Sequence, residues 1–170
     1  HEKAHRIYRA AGKYTYSGQT TLWASSSPAL GRRLKDEFPE IEEFVRIVPS
    51  PKLLFKAGET AFYEKHVFMA DPSVFKIFTH RFIYGEPDNC LTEPLSIVLT
   101  ETLASKYFGN GNPVNKVIQV EGDDLKVTGV IEDLPPNSHL PVNAFISFST
   151  LNALYPDQNF TDWSLGDFLG

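Results

Sequence analysis

The alternation of apolar and polar positions is clearest between residues 94 and 140. Ser96, Ile97, Val98 and Leu99 form a short apolar run with β-branched side chains, which predicts a strand, and Thr100 follows as a helix cap with Glu101 in the first turn. Leu103, Ala104, Tyr107 and Phe108 then share one helical stripe, Lys106 suits the last turn, and Gly109 is expected to stop the helix in the left-handed region. A hairpin follows, with arms over residues 117–120 and 125–132 joined by Glu121, Gly122, Asp123 and Asp124. In its second arm Leu125, Val127 and Ile131 alternate with Lys126, Thr128 and Glu132, so one face is expected to be buried and the other wetter. Residues 142–149 read as another strand and 150–154 as a short helical turn, while no closing element is legible over 156–170.

The first half is read the same way. Residues 7–16 read as a strand. Ser25, Ser26, Ser27 and Pro28 supply a cap and a proline for a helix over 28–38, with Leu30, Leu34 and Phe38 as its buried stripe and Pro39 as its end. Residues 41–48 return as a strand, giving a β-α-β unit. Pro49 and Pro51 mark a linker, after which short strands are expected over 53–56 and 61–69, with a short helix opened by Asp71 and Pro72. The expected fold class is α+β: a β-α-β main subdomain, over about 1–49 and 94–150, interrupted by a smaller β-rich subdomain over about 50–93, with 151–170 irregular.

The segment 94–140, from Pro94-Leu-Ser-Ile-Val-Leu-Thr100 and the helix to Gly109 through Lys126-Val-Thr-Gly-Val-Ile-Glu-Asp-Leu-Pro-Pro-Asn-Ser-His-Leu140, resembles the MacB-like periplasmic core domain of FtsX-like permease subunits of ABC transporters. Two further stretches carry the resemblance. Arg6-Ile-Tyr-Arg9 is similar to the family's first strand just outside the membrane, and Asp71-Pro-Ser-Val-Phe-Lys-Ile-Phe78, followed by Phe82-Ile-Tyr-Gly-Glu-Pro87, is similar to a second family motif. The matching positions are Tyr8, Arg9, Asp71, Pro72, Phe75, Phe78, Gly85, Thr100, Phe108, Gly109, Pro113, Gly129, Pro135, Asn137, Ser138 and His139, for which the resemblance implies structural roles. One departure stands at Asn115, where the family usually has glycine. Asparagine enters the left-handed region more readily than most residues, so the turn is expected to survive.

The resemblance also implies a context: an ectodomain at the periplasmic face of the bacterial inner membrane, with no catalytic residues and no cofactor. Its implied partners are the transmembrane helices of the same permease, a cytoplasmic ATPase subunit acting through the membrane, and a second permease copy or homologue. The family continues into another strand and helix before re-entering the membrane, so the C-terminus is expected to be truncated. The competing class is an extracellular ligand-binding or sensory domain, which a concave pocket with convergent polar groups would favour.

Composition narrows the alternatives. A chain of 170 residues that is 42% hydrophobic can build a core as one domain. Its 16 Lys and Arg against 21 Asp and Glu give a net charge of −5 with no basic run, which argues against nucleic acid as a partner. No stretch approaches the ~18 apolar residues of a membrane span. Cys90 is the single cysteine, so no internal disulfide can form.

His1-Glu-Lys-Ala-His5 is a literal H-E-x-x-H, but it runs straight into an expected strand and has no evident third ligand, so it is read as an accident rather than a zinc site. His66, His80 and His139 are isolated and read as ordinary core or surface histidines. No G-x-S-x-G elbow pairs a base with any serine, and no phosphate-cradling loop is present. Glu42-Glu43 and Asp123-Asp124 read as solvated pairs.

Overall fold

A computed structural model describes residues 4–23, 26–135, 138 and 140–157. A 3-10 turn, Ala4–Arg6, precedes the hairpin β1 (Gly12–Tyr16) and β2 (Gln19–Trp23), then α1 (Leu30–Glu37), β3 (Ile47–Pro49), β4 (Leu53–Ala57), β5 (Thr60–Glu64), β6 (Val67–Ala70), α2 (Val74–Ile77) and β7 (Phe82–Tyr84). A second 3-10 turn, Pro87–Asn89, leads to β8 (Ser96–Thr100), α3 (Glu101–Phe108), β9 (Val117–Val120), β10 (Asp123–Ile131), β11 (Ala144–Ser147) and α4 (Ser149–Leu154).

Among the described residues nine strands form one mixed sheet in the order β3-β6-β11-β8-β10-β9-β4-β5, with β7 added against β10. β10 runs parallel to β8 and β11 parallel to β6, while the other pairs are antiparallel. The β-α-β crossover is β8-α3-β10, because parallel neighbours need a connection longer than a tight turn. Strands drawn from 53–84 lie in the same sheet as those drawn from 96–147. The architecture is mixed α+β.

Strand alternation divides the apolar residues between two cores. Ile97 and Leu99 of β8, Ala144 and Ile146 of β11, and Val67 of β6 face the side covered by α3, with Leu103, Ala104 and Tyr107 above them. Val98, Phe145 and Phe68 face the other side and meet Val74 and Phe75 of α2, together with Cys90 and Leu91. β8 and β11 are therefore buried on both faces along their whole length. At about 1.5–3 kcal/mol for each fully buried large apolar side chain, Ile97, Val98, Leu99, Phe145 and Ile146 make these two strands a substantial part of the hydrophobic stabilisation.

Several elements differ from expectation. Ser17 and Gly18, at φ 49° and 79°, fold residues 12–23 into a two-residue hairpin forming a separate two-stranded sheet, so the strand read over 7–16 begins only at Gly12. α1 starts at Leu30, two residues later than read, and its stripe is not a core face: Leu30 and Leu34 are half-buried and Phe38 is 48% exposed. It approaches the irregular segment after Pro39 so closely that a Cβ on Gly31 would lie 2.5 Å from the Phe44 ring. Only Ile47–Pro49 of 41–48 becomes strand, and it pairs antiparallel with β6, so no β-α-β unit forms over 7–48. The strand read over 61–69 is two strands. His66, at φ 59°, breaks it, and the chain passes from the edge strand β5 to the interior strand β6.

Candidate functional site

The motif positions serve four local constructions. In the first, Asp71 does not cap α2 with its side chain. Its carboxylate instead accepts from the Arg46 backbone N–H at 2.8 Å, Nε at 2.9 Å and Nη2 at 2.7 Å. The guanidinium also lies 3.7 Å from the centre of the Phe148 ring, and Ser73 Oγ donates to the Phe44 carbonyl at 2.6 Å. A bidentate ion pair stacked on an aromatic ring thus fastens the segment before β3 to the turn after β6. Pro72 and Phe78 are half-buried beside it, and Phe75 is buried in the second core.

The second construction is the close backbone approach of β7, and of the turn after it, to its antiparallel neighbour β10. A Cβ on Gly85, at φ 84°, would sit 2.5 Å from the Thr128 carbonyl oxygen, and one on Gly129 would sit 2.8 Å from Cys90 Sγ and 3.0 Å from the Phe82 ring. Glycine is required at both places because the opposing atoms are backbone or tightly packed. Cys90 Sγ donates to the Thr128 carbonyl at 3.2 Å, and burial raises its thiol pKa above the ordinary value.

The third construction brackets α3. Thr100 occupies the N-cap position but its hydroxyl makes no cap bond; the Asp133 carboxylate accepts from the Thr102 backbone N–H at 3.1 Å and from the Thr102 hydroxyl. An acid at the positive end of the helix satisfies an otherwise unpaired amide. At the other end Gly109 adopts φ 70°, ψ −157°, so the stop is not in the left-handed helical well but in a region essentially confined to glycine. Phe108 packs half-buried against the first core.

The fourth is the turn into β9. Pro113 is buried, the Val114 N–H donates to Asn112 Oδ1 at 2.9 Å, and Asn115 sits at φ 70° with its N–H on the Val127 carbonyl at 2.8 Å. Asparagine therefore fills the glycine-favouring position as expected. Near the end of the described chain, the Ser138 N–H donates to the Pro135 carbonyl at 2.9 Å and Ser138 Oγ bonds to both backbone groups of Leu140. Asn137 and His139 lie outside the described residues.

The remaining candidates do not converge. His1 and Glu2 lie outside the described residues, His5 is exposed on the 3-10 turn, and Arg6 pairs with Glu42 at the surface. Tyr8 is 87% exposed on a segment without strand structure, and Arg9 beside it is also exposed. Among the described residues no group of three or more His, Cys, Asp or Glu side chains could hold a metal ion, and no helix is long and apolar enough to cross a membrane. His80 is packed edge-on against Phe75 and Phe145 at 5.7 and 5.6 Å with its buried Nδ1 unpartnered, and burial pushes its pKa down to about 4.

One polar cluster escaped the sequence reading. Glu64, 7% exposed at the end of β5, accepts on Oε1 from Lys106 Nζ at 2.6 Å and from Tyr107 Oη at 2.7 Å. Lys106 also lies 4.1 Å from the centre of the Phe62 ring. Desolvation first, then the bond to Glu64 and its charge, raises the Tyr107 pKa well above the ordinary value, so the phenol stays a donor. The last turn of α3 is thereby tied to the sheet edge.

Against known proteins, the family model for the MacB-like periplasmic core domain matches residues 3–165. The chain belongs to that family. No curated protein matches it. Among solved structures, this MacB-like core domain superposes on a domain of a protein assigned as a permease, from Porphyromonas gingivalis, with TM-score 0.72 and 20% identity, covering 86% of this chain and 66% of that one. It is similar to the periplasmic region of MacB from Actinobacillus actinomycetemcomitans with TM-score 0.53 and 18% identity, covering 66% and 50%. It is also similar to the extracellular domain of the ABC-type transporter YknZ from Gram-positive bacteria, with TM-score 0.50 and 16% identity, covering 65% and 58%. The chain thus spans between half and about two-thirds of the length of these relatives, and at such identities they show a shared fold.

Arg46, Glu64 and Asp133 carry no signal in the sequence, and neither does the tie of Lys106 to Glu64. Each bonds to partners 25 to 43 positions away in sequence, so no local pattern marks it.

Proposed function

We propose that this MacB-like core domain is the non-catalytic extracytoplasmic part of an ABC transporter permease subunit at the periplasmic face of the inner membrane. It passes ATP-driven motion of the permease's transmembrane helices to periplasmic substrate or partners. The family match over residues 3–165 carries this reading. The motif residues support it, because Asp71, Gly85, Gly109 and Gly129 serve a clasp, a helix end and a close backbone approach, while Tyr8 and Arg9 are exposed and meet no converging set of acids, bases and nucleophiles among the described residues. We further propose that these residues hold the fold stiff, so that the domain moves as a whole element. Its working partners on this reading are the adjoining helices, a cytoplasmic ATPase and a second permease copy or homologue.

The test is a reversible disulfide between this domain and its partner in the intact permease, with transport and ATP hydrolysis measured together. Transport is expected to stop when the cross-link forms and to return on reduction, while hydrolysis continues in the cross-linked state. Normal transport with the cross-link complete would overturn the reading.

A further inference from the structure

The two edges of the large sheet are built differently. β3 is three residues long and ends in Pro49, which has no N–H to offer; such an edge resists further pairing. β5, at the opposite edge, is five residues long, contains no proline, and keeps unbroken register with β4 from Leu53↔Glu64 to Ala57↔Thr60. Phe62 and Tyr63 at its centre are 52% and 69% exposed.

The direction of its free backbone groups follows from the neighbouring strands. The Glu121 N–H donates to the Leu54 carbonyl at 2.9 Å, and the Leu54 N–H donates to Glu121 Oε1, so Leu54 turns its backbone groups toward β9. By alternation Leu53, Phe55 and Ala57 turn theirs toward β5, where their partners are Glu64, Phe62 and Thr60. Ala61 and Tyr63 are left with their N–H and C=O groups directed outward from the edge, where no strand lies among the described residues.

We infer that two copies of this chain pair antiparallel through β5, about a two-fold axis at Phe62. In that register Ala61 of each copy meets Tyr63 of the other, and the outward groups of both complete four backbone hydrogen bonds. Phe62 meets Phe62 as a close non-hydrogen-bonded pair, and Thr60 meets Glu64. Exposed Glu59 of each copy comes alongside exposed Lys65 of the other, since both lie three positions from the axis. The segment Glu59-Thr-Ala-Phe-Tyr-Glu-Lys65 is thus self-complementary in charge only when read antiparallel about its centre. Glu64 stays held by Lys106 and Tyr107, so the edge presents no unpaired inward charge. This pairing rests on strand geometry and is independent of the transport reading.

The test uses the chain itself in sedimentation equilibrium. A concentration-dependent dimer is expected; a monomer at roughly 0.5 mM would overturn the inference. Glu59→Lys and Lys65→Glu singly should each weaken the dimer by about tenfold, and the double exchange should restore it. Because the double variant carries both substitutions, its recovery separates loss of pairing from loss of folding. A dimer indifferent to all three variants would place the contact elsewhere and overturn the β5 assignment. Register is read by cysteine: Phe62→Cys should cross-link readily under mild oxidation, since a non-hydrogen-bonded pair has Cα atoms about 4.5 Å apart, whereas Tyr63→Cys should not. The reverse preference would overturn the proposed axis.

Discussion

Replacing Gly109 isolates a purely conformational cost. The residue closes α3 with its N–H on the Ser105 carbonyl at 3.0 Å, and its φ of 70° with ψ of −157° is a combination that side-chain-bearing residues avoid. A Cβ built there meets nothing within 4 Å, so no clash adds to the backbone term. Holding a non-glycine residue in such a region costs about 1–3 kcal/mol. Part of this is offset because alanine also restricts the unfolded chain, by about 0.4–1 kcal/mol. A net loss of about 1–2 kcal/mol is therefore expected for Gly109→Ala, which in a chain of this size lowers the melting temperature by about 2–8 °C. Gly109→Val should fall within about 1 kcal/mol of Gly109→Ala, because open space admits the larger side chain. Gly111→Ala, in the same turn and with open space around it but no positive φ, should be nearly neutral. Urea and thermal unfolding followed by circular dichroism would measure all three. An unchanged midpoint for Gly109→Ala, or an equal loss at Gly111, would refute the reasoning.

Gly85→Ala should be more damaging than Gly109→Ala, at about 3 kcal/mol or beyond, because a new Cβ would add a 2.5 Å approach to the Thr128 carbonyl to an unfavourable φ; comparable melting temperatures for the two variants would contradict this. Asp133→Ala should cost about 1 kcal/mol through loss of the cap on Thr102, visible as faster hydrogen exchange in the first turn of α3 and unaltered exchange in β11. His80, with its pKa lowered from 6.5 to about 4, binds a proton more readily when the chain is unfolded, so its contribution falls as pH drops from about 6.5 to 4 and is constant below that. Relative to His80→Phe, the protein should therefore lose up to about 3 kcal/mol across that window, an upper bound because the ring is only partly shielded; parallel stability curves would rule the effect out.

The second half of the chain was far more legible than the first. β8, α3 and the arms of the β9–β10 hairpin announce themselves because each is specified by neighbours: a β-branched run, a helical stripe with a glycine after it, and strand segments around a turn at Glu121 and Gly122. Even there the wetter face read for β10 holds only as far as Thr128, since the strand then enters the sheet interior and Gly129, Val130 and Ile131 are all buried. The first half fails where one residue decides the path. Ser17 and Gly18 add to the strand expected to end at Tyr16 a second arm, Gln19–Trp23, that had not been read, and a Ser-Gly pair was a signal available to be used. His66 at positive φ gives no such signal, because nothing in a histidine marks it as a break. The Asp71 and Asp133 carboxylates were unreadable for other reasons: Asp71 stands just before a helix and suggests a local cap, Asp133 stands in a loop after β10 with no local signal, and only the tertiary fold shows that one serves Arg46 and the other a helix 31 positions earlier.

The close approach at Gly85 and Gly129 also has a redox consequence. On the proposed periplasmic placement thiols are exposed to oxidation, and the one cysteine of this sequence has no partner within it, so an accessible thiol there would couple to other proteins or climb toward sulfinic acid. Cys90 is fully buried, its hydrogen is directed at the Thr128 carbonyl, and its thiolate is disfavoured by burial. The missing side chain at Gly129 supplies the room its sulfur needs, so the same glycine that lets β7 lie close against β10 also lets the thiol sit away from solvent.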